Sequence, residues 1–144
     1  MISYDDFSKV EIKAGKILSA EKIPNTDKLL KLSVDFGFIT EQIATISPEK
    51  SAADSMGVAE GDTIAEIQMT EMKHDVRQII SGIASYFPDP ATLVGRTCMF
   101  VTNLEPRKIK GYESNGMLFA LSTDDGKFSL LEPHKDIPPG TKAR

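Results

Sequence analysis

The stretch that decides the fold is "VTNLEPRKIKGYESNGMLFA", residues 101–120. One apolar run ends at Asn103 and another begins at Met117. From Asn103 to Tyr112 stand Arg107, Lys108 and Lys110, set against Glu105. Pro106 stiffens the approach, Gly111 permits a turn and Tyr112 adds an aromatic face. Arg and Lys held in a stiff loop can meet successive phosphates, Arg in bidentate fashion. Asn103 offers a donor and an acceptor to a base edge, and Tyr112 can stack an unpaired base for about 1–3 kcal/mol. The same residues also fit a plain solvated hairpin loop, and "NG" at 115–116 is by itself a turn signal.

A basic loop is unexpected in this chain. Its 144 residues carry a net charge of −4, with a sequence pI ≈ 5.2. The acidity is local, however. Residues 39–75 hold eight acids (Glu41, Glu49, Asp54, Glu60, Asp62, Glu66, Glu71, Asp75) against Lys50 and Lys73, which leaves the rest of the chain weakly basic. Screening acts over about 8 Å at physiological salt, so a basic loop can attract phosphate despite acids on another face.

Working outward, the length fits one domain, or one domain with an insertion. A start at Met1 without a catalytic segment suggests a short protein in its own right. "MISYDDFSKV" has neither a basic nor a long apolar segment and does not read as a secretory leader. No apolar run reaches the length of a membrane-spanning helix. The single cysteine, Cys98 in "CMFV", reads as a buried thiol in a reducing, cytoplasmic setting. His74 and His134 lie far apart without metal-ligand spacing, and no metal or other cofactor is expected.

The pattern along the chain is one of short strands. Ser3 caps a helical turn at 3–7. Residues 10–23 read as a strand with a bend or bulge at Gly15, and 24–27 ("PNTD") as a turn. Leu30, Leu32 and Val34 alternate as in a half-buried strand over 28–37. The runs 77–87 and 96–104 read as buried strands. Between them, 89–95 reads as a short helix with Asp89 as cap and Pro90 first. A strand is expected over 116–122, then a turn at 124–126 into 127–131. Within the acidic segment, 47–57 reads as a short helix and 65–69 as a strand, with a turn at 60–62 between them. These elements fit a small β-barrel, and a sandwich fits as well.

Enzymatic signatures are missing: there is no glycine-rich phosphate loop, no nucleophile elbow and no paired cysteines. Asp5 with Asp6 reads as a capping pair and Asp124 with Asp125 as a turn. Neither histidine has a visible nucleophile or orienting partner. No catalysis is expected.

The run "NLEPRKIKGYESNGMLFA" resembles the motif of the tRNA-binding OB-fold domains. These comprise stand-alone tRNA-binding proteins, the C-terminal domain or β-subunit of methionyl-tRNA synthetase, and the endothelial-monocyte-activating polypeptide domain. "DDFSKVEIKAGKILSAEKI", "DKLLKLSVDFG", "RQIISGIASYF" and "IPPGTKAR" resemble further family segments in the same order. The resemblance covers nearly all of 5–36, 77–121 and 128–144, and it departs at 39–75, where members usually have only a few residues. It implies an all-β fold: a five-stranded OB-fold barrel with short helices, a C-terminal extension and an inserted acidic segment, as a single domain over 1–144.

The resemblance also implies non-catalytic tRNA binding by backbone charge and shape, in trans or as a detached synthetase subunit, with methionyl-tRNA synthetase as partner. It implies a homodimer without membrane attachment. By motif position, the residues at the RNA are Asn103, Arg107, Lys108, Lys110 and Ser114, with Gly116 and Met117 shaping the following strand. Ser81 and Arg77 are weaker carry-overs, with Ser81 fitting equally a residue that satisfies a backbone group, and Lys13, Lys16 and Lys28 fit either an extension of the basic face or solvated strand edges. A protein-binding chaperone of the same barrel fold is the alternative, although members of that family depart from the intact "SNGM" seen here.

Overall fold

Alternation at 28–37 becomes strand β2 (Leu30–Ile39), whose buried Leu30, Leu32, Val34 and Phe36 line one face. β2 hydrogen-bonds antiparallel to the second half of β1 (Ile12–Lys22), from Lys16 opposite Asp35 to Lys22 opposite Leu30. A computed structural model describes residues 1–39 and 73–144 of this chain. The expected helix at 47–57, turn at 60–62 and strand at 65–69 lie outside the described residues. The chain divides into two compact units, Met1–Gly37 with His74–Arg144, and Phe38–Lys73.

The remaining strands among the described residues are β3 (Lys73–Ser81), β4 (Thr97–Val101), β5 (Arg107–Ile109), β6 (Tyr112–Ser114), β7 (Met117–Leu118), β8 (Ala120–Ser122) and β9 (Phe128–Leu130). Five of the nine form one sheet in the order β3-β2-β1-β4-β7, while β5–β6 and β8–β9 are two-stranded ribbons. β4 pairs antiparallel with the first half of β1, Ile12 opposite Val101 through Lys16 opposite Thr97. The sheet curls until its two ends meet. Beyond β6, the amide of Asn115 donates to the Gln78 carbonyl at 2.9 Å, and the Ile80 amide donates to Ser114 Oγ at 3.0 Å. Residues 114–116 thus bridge β3 to the start of β7, giving an all-β, OB-like fold. Inside pack Ile17, Leu30, Leu32, Val34, Ile79, Leu93, Cys98 and Phe100, all fully buried, with Phe36 edge-on to Phe100 at 5.4 Å.

The helical turn forms as expected. Helix α1 (Tyr4–Ser8) begins at Ser3, whose hydroxyl accepts from the Asp6 amide while the Asp6 carboxylate accepts from the Ser3 amide. Asp89 caps a short 3₁₀ helix, Pro90–Leu93. Three expectations are corrected. The irregularity in β1 falls between Ile17 and Ser19, leaving Leu18 exposed, and not at Gly15. Gly15 pairs regularly with Cys98, and its bare Cα admits the core: a Cβ there would lie 2.6 Å from Val34 Cγ1 and 2.7 Å from Phe36 Cε1. The strand expected over 77–87 ends at Ser81 and gives way to a 3₁₀ turn, Ala84–Tyr86. The strand expected over 116–122 divides at Phe119. Its amide bonds Met99 of the sheet, and β8 then leaves to pair with β9.

The C-terminal segment docks against β1. Gly140 N donates to the Ala14 carbonyl, Ala14 N to Thr141 and Ala143 N to Ile12, at 2.7–2.9 Å. Here Gly37 (φ +86) is required twice over, by its left-handed backbone and by Pro139 O, 2.6 Å from where its Cβ would stand.

Gly15→Ala overpacks the core and is expected to cost about 1–3 kcal/mol. Urea unfolding should show a lower midpoint with an unchanged slope. Gly82→Ala, where a Cβ meets nothing within 4 Å, is the control and should be neutral or slightly stabilising.

Candidate nucleic-acid interface

The basic loop is a β-hairpin. β5 and β6 pair Arg107 with Ser114, Lys108 with Glu113 and Ile109 with Tyr112. The chain reverses at Lys110 (φ +52) and Gly111 (φ +85), the two left-handed residues that a primed two-residue turn demands. The turn is therefore at 110–111, and "NG" at 115–116 serves a different purpose. Lysine is not a residue that favours the left-handed region, where an L side chain costs about 1–2 kcal/mol.

Two anchors hold the hairpin to the sheet. At its base, Ser114 is buried, its hydroxyl accepting from Ile80 and donating to the Gly116 carbonyl at 3.2 Å. Alongside, Gln78 Nε2 donates to the Glu113 carbonyl at 2.8 Å. Toward the tip, Lys31 Nζ lies 5.8 Å from the Tyr112 ring centroid while also pairing with Glu21 at 3.0 Å. Neither Gln78 nor Lys31 stood out in the sequence, although Lys31 occupies an outward position of the alternating 28–37 run.

The motif residues divide by what their polar groups touch. Arg107, Lys108 and Lys110 are exposed, and none forms an ion pair among the described residues. Asn103 bridges two backbone groups, accepting from the Glu11 amide at 2.7 Å and donating to the Lys9 carbonyl at 2.6 Å. Gly116 lies so close that a Cβ would meet Val101 O and Ile79 Cδ1 at 3.0 Å. Met117 is half exposed and pairs with Val101. Arg77 is partly buried over the Phe36 ring; it donates to Asp75 through Nε and Nη2 and to the Thr102 carbonyl through Nη1. Ser81 ends β3, half-buried, next to Ile80. Glu113 shares the hairpin with the cations, so the loop from Glu105 onward carries one positive charge in excess. Lys13 pairs with Glu11 at 3.1 Å, whereas Lys16 and Lys28 are exposed.

Glu11 ties the N-terminal segment to the start of the motif. Its carboxylate accepts from Thr102 Oγ1 at 2.6 Å and faces Lys13 and Lys142. The Thr102 hydrogen bond, followed by the two lysines, holds its carboxyl below the usual range against a desolvation penalty. Cys98 is buried, and desolvation pushes its thiol up to about 11. A recess of about 310 Å³ lies among Tyr86, Phe87, Arg96, Phe128 and Glu132, where Tyr86 stacks on Phe128 and Glu132 takes the Arg96 guanidinium. No group of His, Cys, Asp and Glu among the described residues could hold a metal ion.

The family described as "Putative tRNA binding domain" matches residues 57–142. The chain belongs to the tRNA-binding domain family. It is 43% identical over its full 144 residues to the methionine–tRNA ligase of Methanoregula boonei. It spans 16% of that relative's length, so the match is to one part of a much longer protein. Among solved structures, the methionyl-tRNA-synthetase-related protein of Pyrococcus horikoshii aligns with a TM-score of 0.69 at 32% identity, covering 100% of this chain and 98% of that one. The CsaA chaperone protein of Picrophilus torridus aligns with a TM-score of 0.66 at 23% identity, covering 100% of both chains, a likeness in fold alone.

Two outcomes are expected from this geometry. Ser114→Ala strands the buried Ile80 amide and should cost about 1–3 kcal/mol of stability, read as a lower unfolding midpoint. Thr102→Val removes the leading partner of Glu11. Because the folded-state carboxyl is depressed, its contribution is present above the ordinary carboxylate range and is lost as pH falls through the folded-state value. The deficit of Thr102→Val against wild type should therefore be largest near neutral pH and shrink on acidification, measured by urea unfolding across pH.

Proposed function

We propose that this chain is a non-catalytic tRNA-binding module that holds tRNA through the Arg107–Lys108–Lys110 hairpin, reading backbone charge and shape more than sequence. One observation carries the reading. In a chain of the tRNA-binding domain family, these three cations are exposed and without ion pairs among the described residues, on a hairpin anchored at base and tip. Lys13, Lys31, Arg77 and Arg96 are engaged by carboxylates, while Lys16 and Lys28 are exposed as the hairpin cations are but lie outside the motif. Lys110 in the left-handed region supports it further: a charge is kept where glycine or asparagine would relieve strain.

On this reading Asn103, Ser114, Gly116 and Arg77 act through the hairpin by fixing its position, while Met117 and Ser81 border it. The module would raise the local concentration of tRNA for an aminoacyl-tRNA synthetase, in trans or as a subunit, with the methionyl enzyme as partner in the cytoplasm. Ile2, Tyr4 and Phe7 are exposed on the N-terminal segment, apolar surface that a second copy would cover in a homodimer. Residues 39–75 would be an acidic elaboration of one domain.

Filter retention of bulk tRNA across a salt series tests the reading. Wild type should bind with steep salt dependence and prefer tRNA over single-stranded DNA. Arg107→Ala with Lys108→Ala should weaken binding and lower the salt slope by about 1 per lost phosphate contact. Unchanged binding would dismiss the site. Absence of binding at low salt, with retention of unfolded peptide, would move the protein to the chaperone reading.

A further inference from the structure

We propose that the recess between the Ala84–Tyr86 turn and β9 is a binding site for a single nucleobase, which stacks on Tyr86 and meets Arg96 and Glu132 at its edge. The site is apart from the basic hairpin: Arg96 leads into β4, and Asn103 follows β4 at its other end. It does not depend on the hairpin's function.

The aromatic wall is built in advance. Tyr86 stacks on Phe128 with ring centroids 4.0 Å apart and planes 10° from parallel, and Phe87 stands edge-on to Phe128 at 5.8 Å. Phe128 and Phe87 pack against the core, so the stack is anchored from beneath. Phe128 covers one face of Tyr86, yet Tyr86 stays 42% exposed. Much of its open surface is therefore the other face. A flat ring laid there continues the stack, and every base has such a face.

The polar wall has capacity to spare. Arg96 donates to Glu132 through Nε at 3.4 Å and through Nη2, and its guanidinium lies 5.9 Å from the Phe87 ring centroid. A guanidinium has five N–H donors and a carboxylate about four acceptor positions. Among the described residues this contact uses two of each, and Nη1 has no other partner. The pair thus still offers a donor beside an acceptor, with no net charge. A free phosphate gains little from a cation already neutralised. A wholly apolar guest would cover these groups without satisfying them. A neutral planar group with donors and acceptors along its edge suits both walls, and a nucleobase has that chemistry. The recess, about 310 Å³, is at the small end of ligand sites and matches one ring system. The base comes either from a free nucleoside or nucleotide, or from an unpaired position of an RNA.

Saturation-transfer NMR on the full chain, with adenosine as probe, tests the site. Adenosine has no phosphate for the hairpin cations to hold. Saturation should reach its base protons more strongly than its ribose protons. Tyr86→Ala should weaken binding at least about fivefold, whereas Tyr86→Phe, which keeps the stack, should retain it. Tyr86 lies outside the buried core, so both variants should fold, as urea midpoints will verify. Adding a tRNA transcript separates the two sources. Displacement of adenosine assigns the site to an unpaired RNA base, an unchanged signal to a free nucleoside or nucleotide, and either result supports the base site. No transfer at millimolar adenosine, or equal transfer in wild type and Tyr86→Ala, overturns it. Failure of the hairpin to bind tRNA would leave the adenosine signal in place, so the two readings fail separately.

Discussion

The hydrogen bond from the Ile80 amide to Ser114 Oγ, with Asn115 N on the Gln78 carbonyl beside it, is the constraint on which the rest depends. Among the described residues, the sheet order β3-β2-β1-β4-β7 leaves β3 and β7 as its ends, and unpaired strand edges carry open donors and acceptors that must be satisfied or covered. Residues 114–116 supply a partner for β3 and then enter β7. Gly116 is small because the chain there runs against Val101 O and Ile79. Closing the sheet and seating the basic hairpin are therefore one event. The hairpin leaves β4 at Asn103 and returns at Ser114, and both ends are held by side-chain to backbone bonds.

That arrangement separates two kinds of polar group within one motif. Asn103, Ser114 and Gln78 satisfy backbone groups, which a buried or half-buried protein surface requires. Arg107, Lys108 and Lys110 pair with no carboxylate among the described residues. A cation engaged by a carboxylate must break that pair to meet phosphate, whereas an exposed unpaired one needs only to lose water and rotamer freedom. Charge distribution supports the separation: the chain is acidic overall, yet its acids concentrate at 39–75 and the hairpin keeps a small positive excess.

Much of this was legible in the sequence, and the failures have physical causes. Local signals with a local mechanism held: Ser3 as the cap of the first helical turn, Asp89 before Pro90, and the alternation of Leu30, Leu32 and Val34. Signals whose outcome depends on distant neighbours did not. Gly15 reads equally as a bulge or as a close approach, and only the positions of Val34 and Phe36 decide between them. The apolar run at 77–87 hides the end of β3, because the chain that turns away there still buries Ile83 and Ala84, while Ser85 and Tyr86 of the 3₁₀ turn are exposed. "NG" at 115–116 obeys turn chemistry, but the turn is made at Lys110–Gly111, where a lysine conceals it. The cations were readable by type. The partners of Asn103 were not, since Glu11 is 92 residues away in sequence.

Preorganisation connects the anchors to the proposed function. A flexible loop bearing three cations would attract any polyanion, and ordering it on binding would cost conformational entropy for each residue fixed. Here the hairpin is ordered beforehand, by Ser114 and Gln78 at its base and by Tyr112 against Lys31 toward its tip. The cost falls on folding, including the strained backbone at Lys110, instead of on association. A fixed ribbon presents its charges at set positions and on set faces, so a polyanion gains the full set of contacts only where its phosphates match that spacing. Selectivity can then arise from the shape of a folded RNA without contact to a base edge, which suits the proposed tRNA-binding module.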